Sequence, residues 1–94
     1  KGSLLLDAGA AEALRKKKGS LLPIGVTGCQ GNFQRGDVVA CLSPEGEEVA
    51  RGLVNYSAAE VKKIAKQPTS AIESILGYLD EPELIHRDNM VILA

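Results

Sequence analysis

Residues 33–60 read FQRGDVVACLSPEGEEVARGLVNYSAAE, and this stretch decides the fold of the chain. It predicts a β-hairpin that leads directly into a helix. The first strand is expected over residues 37–42 and the return strand over residues 49–54, since both runs are rich in apolar residues. Pro44 fits the second position of a tight turn because its ring fixes φ, and Gly46 closes that turn without a steric cost.

Neighbouring positions within both predicted strands are apolar, so neither strand shows the alternation of a half-exposed sheet. Val38 stands beside Val39, and Leu53 stands beside Val54. This pattern is typical of strands that are covered on both faces, as in a small barrel. We therefore expect a core that includes the following residues: Val38, Ala40, Leu42, Val49, Leu53, Val61, Ile64, Ile72 and Val91.

Two capping boxes predict where two of the helices begin. Ser57 is followed by Glu60, and Ser70 by Glu73, at the spacing that lets each serine accept from the glutamate N–H. In the same motif, each glutamate carboxylate accepts from the serine N–H. Gly77 is expected to end the helix that Ser70 starts, because glycine adopts the left-handed conformation of a helix C-terminus.

The remaining elements are short. Asp7 is placed to cap a first helix over about residues 8–18, and Gly19 to supply the left-handed residue that ends it. Further strands are predicted at residues 3–6, 24–29, 83–86 and 90–93. The strand at 3–6 is already under way where the sequence begins, which is typical of a domain excised from a longer chain.

Length and composition narrow the classes of protein. The chain has 94 residues, 45% of them hydrophobic and 24% charged, which predicts one globular domain over residues 1–94. Its net charge of −1 argues against a dedicated nucleic-acid binder, which is usually strongly basic. No apolar run approaches the length of a membrane span, so no membrane partner is expected.

Cys29 and Cys41 are the only cysteines, and His86 is the only histidine. A zinc site would lack ligands, so two reduced thiols in a cytoplasmic protein are expected. A disulfide stays possible if the strands that carry the two cysteines are neighbours. His86 has no nucleophile beside it in the sequence, which favours a structural role.

One basic block holds the candidate binding residues, at the predicted end of the first helix: Arg15, Lys16, Lys17, Lys18, Gly19 and Ser20. Cations in the last turn of a helix are stabilised by its dipole, so a solvent-exposed helix end is one interpretation. An anion-binding or RNA-binding patch is the other. Sequence alone leaves both open.

No motif for catalysis is present. GVTGCQG (25–31) lacks the spacing of a dinucleotide loop, and no helix start follows it. A P-loop, a nucleophile elbow and a metal-ligand cluster are also missing. We therefore expect these residues to hold no catalytic, cofactor or metal site.

Six segments together resemble the C-terminal PUA domain of the bacterial glutamate 5-kinases. They are DAGAAEAL (7–14), SLLPIGV (20–26), FQRGDVV (33–39), EEVARGLVNYSAAE (47–60), ILGY (75–78) and IHRDNMVIL (85–93). The resemblance covers nearly the whole chain, and ARGLVNYS and HRDN are its most specific parts. It implies an α+β, mostly β, PUA-like mixed pseudo-barrel with two to three short helices.

The resemblance also implies a function. The parent enzyme would phosphorylate the γ-carboxylate of L-glutamate with Mg-ATP, the first step of proline biosynthesis, in an N-terminal amino acid kinase domain. This chain would then be a non-catalytic accessory domain, with that kinase domain as its partner in a homo-oligomeric enzyme. Whether to class the chain itself as an enzyme stays open.

RNA binding is the alternative function that the resemblance implies. In RNA-modifying enzymes, PUA domains bind RNA through the first helix, the loop after it and the last strand, which match residues 15–20 and 90–93 here. With only two tyrosines and one phenylalanine for stacking on bases, weak binding is expected.

Overall fold

The computed structural model describes residues 2–17 and 19–93. Within these residues, five strands and three helices follow one another. They are β1 (Gly2–Leu6), α1 (Ala8–Arg15), β2 (Val26–Gly31), β3 (Val38–Leu42), β4 (Glu48–Leu53), α2 (Ala58–Ile64), α3 (Ile72–Leu76) and β5 (Met90–Ile92). Short 3-10 turns lie at Pro23–Gly25, Thr69–Ala71 and Arg87–Asn89.

The strands form one mixed sheet in the order β2-β1-β3-β4-β5. β1 runs parallel to β3, and the other neighbouring strands pair antiparallel. Beyond these strands, Leu21 forms an isolated bridge with Ile85. The predicted fold class, α+β with a mixed and mostly antiparallel sheet and short helices, is confirmed.

The hairpin that decides the fold forms as predicted. β3 pairs with β4, and Gly46 N–H donates to the Ser43 carbonyl oxygen at 2.9 Å to close the turn. Gly46 has a φ of 89°, a conformation that glycine adopts without strain. Pro44 lies at the second position of this turn, as its fixed φ predicts.

The side of the hairpin that faces the core differs from the prediction. Val39 and Cys41 are buried, whereas Val38 is 46% exposed and its cross-strand neighbour Leu53 is 40% exposed. Side chains alternate along a strand, so apolar residues at adjacent positions cannot both point into one core. The expectation that both faces are covered is therefore wrong within this domain.

Because side chains alternate along a strand, five residues that were predicted to lie in the core are not fully buried. Val38, Leu53 and Val91 are exposed, and Ala40 and Leu42 are only partly buried. The other four are buried as predicted: Val49, Val61, Ile64 and Ile72.

Tyr56 is among the largest fully buried side chains, and it organises the loop before the last strand. Its hydroxyl donates to the Glu81 carbonyl oxygen at 2.5 Å and accepts from the N–H of Glu81 at 3.1 Å and of Asp80 at 3.3 Å. A buried tyrosine hydroxyl needs such partners. Tyr56 therefore fixes a loop that is distant in the sequence.

The first helix ends earlier than predicted. Asp7 caps its start, where the carboxylate accepts from Ala10 N–H at 2.7 Å. The helix stops at Arg15, and Lys17, with a φ of 57°, is the first left-handed residue after it, two positions before Gly19. The loop that follows reaches Ile85, whose carbonyl oxygen accepts from Leu21 N–H at 3.0 Å.

Only one of the two predicted capping boxes forms. Ser57 Oγ accepts from Glu60 N–H at 3.3 Å, and the Glu60 carboxylate accepts from Ser57 N–H at 3.0 Å. Ser70 instead lies inside the 3-10 turn, and α3 begins after it without a side-chain cap from the described residues. Gly77 ends α3 with a φ of 84°, as predicted.

Two predicted strands differ from those in the structure. Residues 83–86 were expected to form a strand but make only the isolated bridge to Leu21, with Leu84 and Ile85 fully buried. The second strand starts at Val26, because Pro23–Gly25 form a 3-10 turn. Within the described residues, no helix has the length and apolar character needed to cross a membrane.

The two serines give a matched test of capping. Ser57→Ala removes a formed capping box and should lower the free energy of unfolding by about 1 kcal/mol. Ser70→Ala removes no cap and should change it by less than about 0.5 kcal/mol. Urea unfolding of both variants measures the difference. Equal losses would show that the hydroxyl of Ser57 contributes nothing beyond helix propensity.

Candidate anion-binding cleft

The predicted basic block lies where α1 ends and the loop to Leu21 begins. Arg15 is the last residue of the helix, Lys16 is its C-cap and Lys17 takes the left-handed turn. Lys18 lies outside the described residues. Gly19, with a φ of 82°, and Ser20 complete the loop.

Two of the cations in this block are already paired. Arg15 Nη2 lies 3.0 Å from Glu47 Oε1, which links the end of α1 to the hairpin turn. Lys16 Nζ lies 3.2 Å from Glu12 Oε2, one helical turn back. These side chains fit the interpretation of a solvent-exposed helix end better than that of a binding surface.

Lys17 instead lines a cleft between the end of α1 and β5. The cleft has a volume of about 490 Å³ and is lined by Lys17, Gly19, Arg87, Asp88, Met90, Val91 and Ile92. Neither Lys17 nor Arg87 forms an ion pair with any of the described residues. With Asp88 as the one carboxylate in this lining, Lys17 and Arg87 leave the cleft a net positive charge, which favours an anion as its occupant.

Hydrogen bonds between two segments that are distant in the sequence bring Lys17 and Arg87 to the same cleft. Ser20 Oγ accepts from Arg87 N–H at 2.9 Å, and Leu84 N–H donates to the Leu21 carbonyl oxygen at 2.8 Å. The loop after α1 is thereby joined to the segment that enters β5. Of the predicted block, the structure places Lys17, Gly19 and Ser20 at this junction.

Arg87 is the residue that the sequence interpretation missed. Its segment was assigned to a tight turn, and a turn gives no indication of what it faces. Its neighbour His86 accepts from Asp88 N–H through Nδ1 at 3.1 Å and so caps the 3-10 turn. This contact supports a structural role for His86.

The two cysteines are not neighbours in the sheet. Leu4 pairs with Cys29 on one side and with Cys41 on the other, so β1 lies between them. Strands two places apart are separated by about 10 Å, which exceeds the reach of a disulfide.

Burial raises the pKa of the Cys41 thiol to about 12 and also raises that of Cys29. Both thiols are therefore protonated and weakly nucleophilic near neutral pH.

No group of three or more histidine, cysteine, aspartate or glutamate side chains within residues 2–17 and 19–93 could hold a metal ion. The cations at the cleft can bind an anion electrostatically.

The sequence profile of the PUA domain family matches residues 2–76. The chain belongs to the PUA domain family. The cleft of this PUA domain lies between the first helix, the loop after it and the last strand.

Glutamate 5-kinases are similar to this PUA domain over a quarter of their own length. Those of Ectopseudomonas mendocina, Pseudomonas putida strain GB-1 and Cupriavidus metallidurans are 59%, 61% and 60% identical to it over 93 residues. Each alignment covers 99% of this chain and 25% of the kinase.

Two solved structures share the fold. A PUA domain from Aeropyrum pernix K1, solved as a tartrate complex, has a TM-score of 0.64 and 33% identity, covering 93% of this chain and 41% of that one. A chain of the archaeal box H/ACA sRNP Nop10-Cbf5 complex has a TM-score of 0.60 and 16% identity, covering 98% of this chain and 23% of that one. The second likeness concerns the fold alone.

The buried thiol of Cys41 predicts how stability depends on alkaline pH. Its folded pKa, about 12, exceeds its ordinary value of 9.0, so above pH 9.0 the unfolded chain loses this proton first. Stability should therefore fall as pH rises, by about 1 kcal/mol between about pH 9 and 10. Urea unfolding at both pH values measures this change, and in Cys41→Ala that part of the decrease should vanish. An unchanged pH dependence in the variant would contradict the assignment.

Proposed function

We propose that this chain is the non-catalytic C-terminal PUA domain of a cytoplasmic glutamate 5-kinase. That enzyme would phosphorylate the γ-carboxylate of L-glutamate with Mg-ATP, in the first step of proline biosynthesis. The observation that carries the proposal is the identity of 59–61% to kinases of that name, over 93 residues that make up 25% of each.

On this proposal the chemistry belongs to the kinase domain. Phosphoryl transfer needs groups that hold Mg²⁺ and stabilise the transferred phosphoryl group, and we assign these to the amino acid kinase domain of the same polypeptide. The PUA domain would act by packing against that domain or by shaping the homo-oligomer of the full-length enzyme.

A comparison of two proteins tests the proposal. The full-length polypeptide that contains residues 1–94 should convert ATP to ADP only when L-glutamate is present to accept the phosphoryl group, whereas residues 1–94 alone should give no turnover above buffer. A coupled assay for ADP measures both. Turnover that stays with residues 1–94 through purification would overturn the assignment, and so would a full-length protein without glutamate-dependent activity.

A second candidate function is weak binding of single-stranded RNA at the cleft. Lys17 and Arg87, which have no ion-pair partner among the described residues, favour it. The Aeropyrum pernix PUA domain was solved with tartrate, which shows that a domain of this fold binds a small anion. Few aromatic side chains are present to stack on bases, so we propose a dissociation constant in the non-specific range of about 10⁻⁴ to 10⁻⁶ M.

The salt dependence of RNA binding tests this second function. Lys17→Glu with Arg87→Glu should flatten the slope of log K against log salt by about 1.4, since each lost contact with a single strand contributes about 0.7. Lys16→Glu with Lys62→Glu makes the same change in net charge outside the cleft and should leave most of the slope. Filter binding of an oligoribonucleotide measures both. Equal slopes in the two double variants would show that the cleft is not the site.

A further inference from the structure

The sheet has a second apolar face, on the side away from the core. Four of its side chains are exposed: Val38 by 46%, Leu53 by 40%, Val91 by 63% and Leu93 by 50%. We call these four residues the outer patch. They line one cleft of about 330 Å³, together with Arg51, Gly52 and Asn89.

The strand register makes the outer patch continuous. Val38 is paired with Leu53 across β3 and β4, and Val91 is paired with Arg51 across β4 and β5. Leu93 follows at the end of β5, where its N–H donates to the Val49 carbonyl oxygen at 2.9 Å. The patch therefore crosses three neighbouring strands, and contiguous exposed apolar surface of this kind is typical of interaction sites.

Arg51, the cation that lines the same cleft as the outer patch, is paired with a carboxylate. Arg51 Nε and Nη2 donate to the two carboxylate oxygens of Glu48, at 2.8 Å and 3.1 Å. A guanidinium held in this way leaves its aliphatic stem as apolar surface beside Val91. Such a surface suits another apolar protein face, and it lacks the uncompensated cations that an RNA backbone requires.

Both ends of the described chain lie at the outer patch. Gly2 pairs with Val39 in the ladder between β1 and β3, and a cleft of about 300 Å³ joins Gly2 to Val38 and Arg51. Leu93, at the other end, is itself a member of the patch. Polypeptide that continues from Gly2 in a longer protein would therefore begin next to this apolar surface.

We propose that the outer patch is the docking surface for the kinase domain of the same polypeptide, which presents an apolar face to it. This inference rests on the proposed function, in which the kinase domain precedes residue 1. A tether that starts beside the patch gives the two domains an effective concentration in the millimolar range, about that of a short flexible linker. A modest apolar contact is then enough to keep them together, as is usual between domains of one chain.

Cysteine labelling of the full-length protein tests the docking. Val91→Cys and Leu53→Cys place thiols in the patch, and Leu79→Cys places one on an exposed loop residue outside it, 47% exposed. Under native conditions a maleimide should modify the two patch thiols at least about ten-fold more slowly than the control, since they react only when the domains part. Mass spectrometry of peptides separates these sites from Cys29 and Cys41. Labelling of the patch thiols as fast as the control would overturn the proposal.

A second variant shows whether the apolar contact causes the protection. Adding Val91→Lys to Leu53→Cys should restore fast labelling, because it places a charge in the contact. Adding Leu79→Lys, which lies outside the patch, should leave the labelling of Leu53→Cys slow. Protection of Leu53→Cys that survives Val91→Lys would overturn the docking surface.

The other possible occupants give different results. A disulfide between the Val91→Cys residues of two chains, formed under mild oxidation, would assign the patch to a second copy, and loss of protection after nuclease treatment would assign it to RNA. Either result overturns the proposal.

Glutamate-dependent ATP turnover is measured on the same preparations. Active enzyme with freely labelled patch thiols refutes only the docking surface, whereas an inactive full-length protein refutes the proposed function and the docking with it.

Discussion

Leu4 lies between Cys29 and Cys41 in the sheet, and this double pairing of β1 is the constraint on which the rest of the structure depends. β1 is the only strand among the described residues that joins β2 to the β3–β4 hairpin. It requires close approach at Gly2, where a Cβ atom would lie 2.5 Å from the Gln30 carbonyl oxygen. The position of α1, and hence of the cleft at its end, follows from the place of β1 in the sheet.

Signals that act within a few residues could be predicted from the sequence. The turn at Gly46 and the caps at Asp7 and Ser57 form as their residue types indicate. One local signal, the capping box expected at Ser70, did not form, and the other failures depended on distant contacts. The face of the hairpin could not be chosen because Val38 and Val39 are equally apolar, and only the pairing of Val39 with Gly2 in β1 decides between them.

The candidate site likewise combines a feature that the sequence predicts with features that depend on distant contacts. The basic block was visible in the sequence, but its four cations looked equivalent there. In the structure Arg15 and Lys16 are paired with carboxylates, while Lys17 lines the cleft. Arg87 could not be predicted as its companion, because the two residues meet only through the pairing of Leu21 with Ile85. A count of charges along the chain therefore overstates the cationic surface.

The parallel pairing of β1 with β3 has a consequence for the order in which the domain folds. β3 and β4 adjoin in sequence, so their pairing closes a short loop at little entropic cost. β1 must instead wait for β3, and parallel strands cannot be joined by a tight turn. Folding rates fall as contacts become less local, so the β1–β3 pairing and the similarly distant β4–β5 pairing are expected to form after the hairpin. β1, an interior strand of the finished sheet, would then be secured only after its neighbour β3.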